Sequence, residues 1–110
     1  MTVEEIQKAL SLEPLTTGGR DREITGGYCG DLLSWVMGRA QEGDAWMTVI
    51  GNVNAVAVAV LADVACIILT EDSPLDPDAK TKAEAQGVAV LRSSENAYRL
   101  AVALGKLLDR

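Results

Sequence analysis

Three short apolar strands separated by helix-length segments set the strongest limit on how this chain can fold. Residues 65–69 (Ala65-Cys66-Ile67-Ile68-Leu69) are a continuous apolar run bounded by Asp63 and Thr70-Glu71-Asp72, the pattern of a strand buried on both faces of a parallel sheet. Residues 46–50 form a second strand after a Gly43-Asp44 turn, and residues 88–91 a third. Between the first two of these strands, residues 54–61 alternate Ala and Val and would pass for a strand by period alone. Ala is the best helix former, Asn52 or Asn54 can cap, and the apolar run suits a helix buried from several sides, so this segment reads as a helix. Asp76-Pro77-Asp78 starts another helix, with a capping acid, a first-turn proline and a carboxylate favoured by the dipole, and Gly87 stops it. A last helix, capped by Ser93 or Ser94, lines up Ala97, Leu100, Ala101, Leu104, Leu107 and Leu108 on one side. The order is βαβαβα with short connections, which right-handed crossovers turn into a parallel sheet flanked by helices: a layered α/β fold.

The amino-terminal part is less regular. Thr2 followed by Glu5 has the spacing of a capping box ahead of a helix over residues 3–10, with Ile6, Ala9 and Leu10 on one stripe. Pro14 separates it from an irregular loop at residues 17–21, and residues 23–29 read as extended, with paired glycines that allow close backbone approach. Asp31 is placed to cap the next helix, and Gly38 to end it.

With 110 residues the chain has the size of one domain, 1–110, able to bury a core without staples. Two Trp, two Tyr and no Phe leave that core to Val, Ala, Leu and Ile. A net charge of −6 and ten scattered Lys and Arg disfavour nucleic acid and anionic membranes, which reward clustered cations. The longest apolar run, residues 55–62, is too short to span a bilayer, and no signal segment is evident, so a cytoplasmic location is expected. Cys29 and Cys66 lack the spacing of a zinc knuckle or redox pair and are expected to be reduced, buried thiols. The absence of His excludes Ser-His and Cys-His nucleophile pairs and His-ligated metals within one chain.

One stretch is more specific than any of this. Asp21, Arg22, Thr25, Gly26 and Gly27 spell the signature of the DRTGG domain, and a Gly27-Tyr28 pair leads to an Asp31-Leu32-Leu33-Ser34 helix start. The chain resembles that family through Gly43-Asp44-Ala45-Trp46, Asn54-Ala55-Val56-Ala57-Val58-Ala59 and Ala65-Cys66-Ile67-Ile68-Leu69-Thr70, nearly its whole length. The resemblance implies the layered α/β architecture also found in the amino-terminal domain of the HPr kinase/phosphorylase family. That family keeps its catalytic P-loop in a separate carboxy-terminal domain, and the P-loop pattern does not occur in these 110 residues. Members occur as accessory parts of phosphate acetyltransferases, cobyrinic-acid-synthase-like proteins and CBS-containing pyrophosphatases, and as stand-alone small proteins, the form this chain resembles.

Thr25-Gly26-Gly27 invites reading as a phosphate cradle, because amides without side-chain cover can bind anions. It is neither a Walker motif nor a dinucleotide fingerprint, and the competing reading, which is favoured, is a tight corner that needs glycine. Ligands of open parallel sheets gather beyond the carboxyl ends of the strands. The loops 51–54, 70–73 and 92–94 lie there, so Asn54, Thr70 and Ser93 join Thr25, Gly26 and Gly27 as candidate ligand-binding residues, although helix capping explains Asn54 equally well. Glu71, Asp72, Asp76 and Asp78 match no metal loop, and Arg22, between Asp21 and Glu23, reads as a locally balanced surface charge. Trp35 is the candidate interface residue, since an exposed Trp on a small domain marks a partner surface.

The expected function is a non-catalytic regulatory or ligand-binding module without a cofactor. By resemblance it would form a homodimer, contact a partner enzyme and sense an adenine nucleotide or phosphorylated metabolite. The alternatives are a small enzyme acting on a phosphorylated metabolite, against which the lack of His, P-loop and nucleophile motif argues, and a purely structural dimerisation domain.

Overall fold

The computed structural model describes residues 1–109, arranged around one five-stranded sheet. In chain order the elements are α1 (Val3–Ala9), β1 (Glu13–Pro14), β2 (Gly26–Cys29), α2 (Leu33–Arg39), β3 (Asp44–Thr48), α3 (Val53–Ala62), β4 (Cys66–Leu69), α4 (Pro77–Gln86), β5 (Ala89–Arg92) and α5 (Ala97–Leu108). The sheet order is β1-β5-β4-β3-β2. β2, β3, β4 and β5 are parallel neighbours, and β1 joins β5 antiparallel. The parallel α/β core is therefore as the strand and helix pattern predicts. The short antiparallel β1 is an addition that a Glu13-Pro14 pair does not announce.

Strand pleating divides the core in two. Ala45, Met47, Cys66, Ile68, Ala89 and Leu91 point to the face covered by α1 and α5, where Val3, Ile6, Leu100 and Leu104 close the layer. Trp46, Ile67, Leu69 and Val90 point to the other face, against Val36 of α2, Ala55, Val56 and Ala59 of α3, and Ala79 and Ala83 of α4. Small residues on α3 and α4 let these helices sit close to the sheet, so a chain without Phe fills its interior.

Local signals resolve as follows. Thr2 and Glu5 form the capping box. α3 is a helix, and its cap is Asn52, whose side chain accepts from the Ala55 N–H at 2.9 Å. Gly87 ends α4 at φ 69°, in the left-handed region. Asp31 does not cap α2; Leu32 takes that position, and the Asp31 carboxylate accepts from the Thr48 hydroxyl (2.7 Å) and the Val49 N–H (3.0 Å) instead. Gly38 lies inside α2, which runs to Arg39. α5 starts later than expected: Asn96 caps it by accepting from the Arg99 N–H at 2.9 Å, while the Ser93 hydroxyl accepts from the Glu95 N–H at 3.0 Å. Leu107, expected on the buried stripe, is exposed. Cys66 is buried, but Cys29 is exposed on β2, contrary to expectation, because its strand lies at the sheet edge. No described helix is long and apolar enough to cross a membrane.

Candidate functional site

The signature residues collect at the amino ends of the strands, where Arg22, Thr25, Gly26 and Gly27 each meet a contact within the chain. The Arg22 guanidinium donates to the Asp63 carboxylate (2.8 Å), the Asp63 carbonyl (3.2 Å) and the Val64 carbonyl (3.3 Å). Asp63 is the left-handed C-cap of α3 at φ 56°. Arg22 thus binds the exposed carbonyl end of that helix rather than balancing its sequence neighbours. The Thr25 N–H donates to the Gly43 carbonyl at 2.9 Å. A Cβ on Gly26 would stand 2.9 Å from an Asp44 carboxylate oxygen, and one on Gly27 would stand 3.2 Å from both Leu104 and Met47. The second glycine is what lets α5 lie against β2.

Asn54, Thr70 and Ser93 sit at the opposite, carboxyl end of the sheet, since Gly26 pairs with Asp44 at the start of β3 while Thr70 and Ser93 follow the last residues of β4 and β5. The structure therefore does not bring the six candidates into one place. At the carboxyl end five backbone donors of the loops after β4 and β5 are already engaged: Thr70 N–H to the Thr48 carbonyl, Glu71 N–H to Glu95, Asp72 N–H to Ser93, Ser73 N–H to Thr70 and Ser93 N–H to Leu69. Thr70 is buried and Asn54 exposed. Among the described residues no group of three or more Cys, Asp or Glu side chains is placed to hold a metal ion.

Two hollows flank β2. On the α2 side, a cavity of about 560 Å³ is lined by Thr25, Gly26, Gly27, Tyr28, Arg39, Gln41, Glu42 and Asp44. Arg39 is the cation of this set; its guanidinium carbon lies 3.6 Å from the centre of the Trp35 ring, a cation–π contact. The Asp44 carboxylate accepts from the Gln41 N–H at 2.8 Å and is buried. On the α5 side, Gly27, Cys29, Met47, Leu104 and Leu108 line an apolar hollow of about 200 Å³. Although the residue is exposed, its thiol is partly desolvated in this hollow, and that desolvation, with the nearby Asp31 charge, raises the Cys29 thiol above its ordinary value, so it is no activated nucleophile. Trp35 is 56% exposed and Leu32 57%. Trp46, by contrast, is wholly enclosed and donates from its ring N–H to the Gly30 carbonyl at 2.9 Å. Sequence reasoning missed Arg39; its i, i+4 spacing from Trp35 was the available signal.

Fold and site together define a small α/β domain whose polar cavity lies beside an edge strand instead of above the carboxyl ends of the sheet. The chain belongs to the DRTGG domain family, whose model matches residues 29–107. The matched span begins just past the Asp21, Arg22, Thr25, Gly26, Gly27 signature. A solved structure of the CBS and DRTGG domains of the regulatory region of Clostridium perfringens pyrophosphatase, complexed with activator, diadenosine tetraphosphate, is similar with a TM-score of 0.72. The likeness covers 94% of this chain and 45% of that one, at 14% identity, and is a likeness of fold. This chain thus spans under half the length of that protein's chain. Comparison with curated proteins finds no match.

Proposed function

We propose that this DRTGG domain, residues 1–110 acting as one unit, is a non-catalytic regulatory module that works as a homodimer on a partner enzyme and responds to a nucleotide or phosphorylated metabolite. The fold it shares with the regulatory region of a pyrophosphatase supports the regulatory part of this reading. The observation that carries the ligand part is the cavity at Thr25, Gly26 and Gly27, where Arg39 has no carboxylate partner among the described residues and stands ready for an anion. Asn54, Thr70 and Ser93 are distant from it and carry no part of this site. The exposed Trp35 and Leu32 beside Arg39 support an interface on the same side of the domain.

Calorimetry with AMP, ATP and diadenosine tetraphosphate on the wild type and on Arg39→Gln tests the ligand. Heat is expected for at least one of them, with affinity at least tenfold lower in the variant. Absence of heat for all three removes the ligand from the proposal.

A second reading, a purely structural dimerisation domain, is favoured by one set of observations: Arg22, Thr25, Gly26 and Gly27 all have close contacts inside the chain that account for them without a ligand. The same calorimetry decides between the two.

A further inference from the structure

The two edges of the sheet are built in opposite ways. β1 is two residues long, contains Pro14, and its Glu13 pairs with Arg92 at 3.0 Å. A short, charged, proline-bearing strand resists pairing with another chain. β2 at the other edge reads Gly26-Gly27-Tyr28-Cys29, with no charge and no proline, and no described strand lies beyond it. Thr25 turns its N–H inward to Gly43, so the alternation of a strand points the N–H and C=O of Gly26 and Tyr28 outward.

The flanks of this edge are also open. Arg39 lines the same cavity as Gly26 and Tyr28, which places that side of α2 over the edge; Leu32 and Trp35, seven and four residues before Arg39, share the stripe. On the other face lies the apolar hollow of Cys29, Met47, Leu104 and Leu108.

We infer that a second copy of this chain adds to the β2 edge. The two β2 strands pair antiparallel about a two-fold axis at Gly27, giving one continuous sheet, and α2 lies antiparallel beside the partner's α2 with Trp35 at the axis. This inference rests on the homodimer reading above and gives it a geometry. The edge is self-complementary: the outward groups of Gly26 meet those of the partner's Tyr28, and Gly27 opposes itself at the close, non-hydrogen-bonded position, where the lack of Cβ allows approach. Charge selects a second copy over an unrelated extended peptide. Antiparallel packing about Trp35 sets position 39 opposite position 31, so Arg39 meets the partner's Asp31, an exposed carboxylate. Arg39 then stands between two anions, that carboxylate and a ligand phosphate, which couples ligand binding to dimerisation.

Sedimentation equilibrium at tens of micromolar, with circular dichroism to confirm folding, tests the arrangement on three proteins. The wild type is expected to be dimeric. Gly26→Pro, which removes an outward N–H, and Trp35→Glu, at an exposed position, are each expected to weaken the dimer at least tenfold. Positions 25 and 29 oppose each other about Gly27, so Thr25→Cys should form a disulfide with the partner's Cys29 under copper–phenanthroline, and adding Cys29→Ser should abolish it. A monomeric wild type overturns the homodimer reading and this geometry together. A wild-type dimer that forms no 25–29 cross-link, or that survives Trp35→Glu, overturns the geometry alone.

Discussion

Arg22 grips the carboxyl end of α3 through Asp63: the guanidinium donates to the Asp63 carboxylate at 2.8 Å and to the Asp63 and Val64 carbonyls. A residue ahead of β2 is thereby tied to the turn that leads into β4, and the two carbonyls just past the helix end gain donors. The contact is only partly shielded, with 36% of the Arg22 side chain and 56% of the Asp63 side chain exposed, so its strength comes from the forked hydrogen bonds more than from the ion pair.

Arg22→Ala is accordingly expected to cost about 1–2 kcal/mol of folding stability, and Arg22→Lys most of the same amount, because an ammonium cannot reach the carboxylate and two carbonyls at once. Urea unfolding followed by circular dichroism measures both. A fully stable Arg22→Lys protein would mean that charge alone suffices.

Gly27→Val forces a side chain against Leu104 and Met47, where even a Cβ stands at 3.2 Å. Overpacking of this kind costs about 1–3 kcal/mol, and α5 is the element that must move. The variant is expected to melt at lower temperature, with Gly27→Ala intermediate. Equal melting temperatures for all three proteins would show that α5 is loosely held.

The two thiols separate by burial. Cys66 is enclosed, and desolvation pushes its thiol up to about 12. The folded thiol keeps its proton to higher pH than the unfolded one, whose ordinary value is near 8.5. Below that value both states are protonated and the group contributes nothing; above it the unfolded state gains by ionising, so stability falls as pH rises toward 12. The slope is on the order of 1 kcal/mol per pH unit. Denaturant midpoints from pH 8 to pH 10.5 should drop in the wild type and drop less in Cys66→Ala. At pH 8 a thiol reagent should label Cys29 in the native protein and Cys66 only after unfolding; early labelling of Cys66 would contradict its enclosure.

The helical reading of α3 was legible because Ala propensity and a capping Asn agreed, although the Ala-Val alternation of residues 54–61 imitates a strand. Which Asn caps was not legible: Asn52 and Asn54 are chemically alike, and the choice depends on where the chain leaves β3. Asp31 failed as a cap for a related reason. Its carboxylate has a stronger claim on the Thr48 hydroxyl and Val49 N–H, which are remote in sequence and become neighbours only when β2 and β3 pair. The Ser93 hydroxyl is likewise held by the Glu95 N–H, leaving Asn96 to begin α5.

The parallel βαβαβα core is written in the chain alone, because apolar period, helix propensity and stop signals act over a few residues and need no distant partner. The chain also carries the family resemblance, in Asp21, Arg22, Thr25, Gly26 and Gly27. It takes the folded molecule to show that β2 is an edge, that Cys29 is exposed, that Arg39 lines a cavity beside that edge and stacks on Trp35, and that Thr25, Gly26 and Gly27 lie at the opposite end of the sheet from Asn54, Thr70 and Ser93. Strand order and strand direction are properties of non-local pairing: identical local segments fit several orders, and packing of both faces selects one.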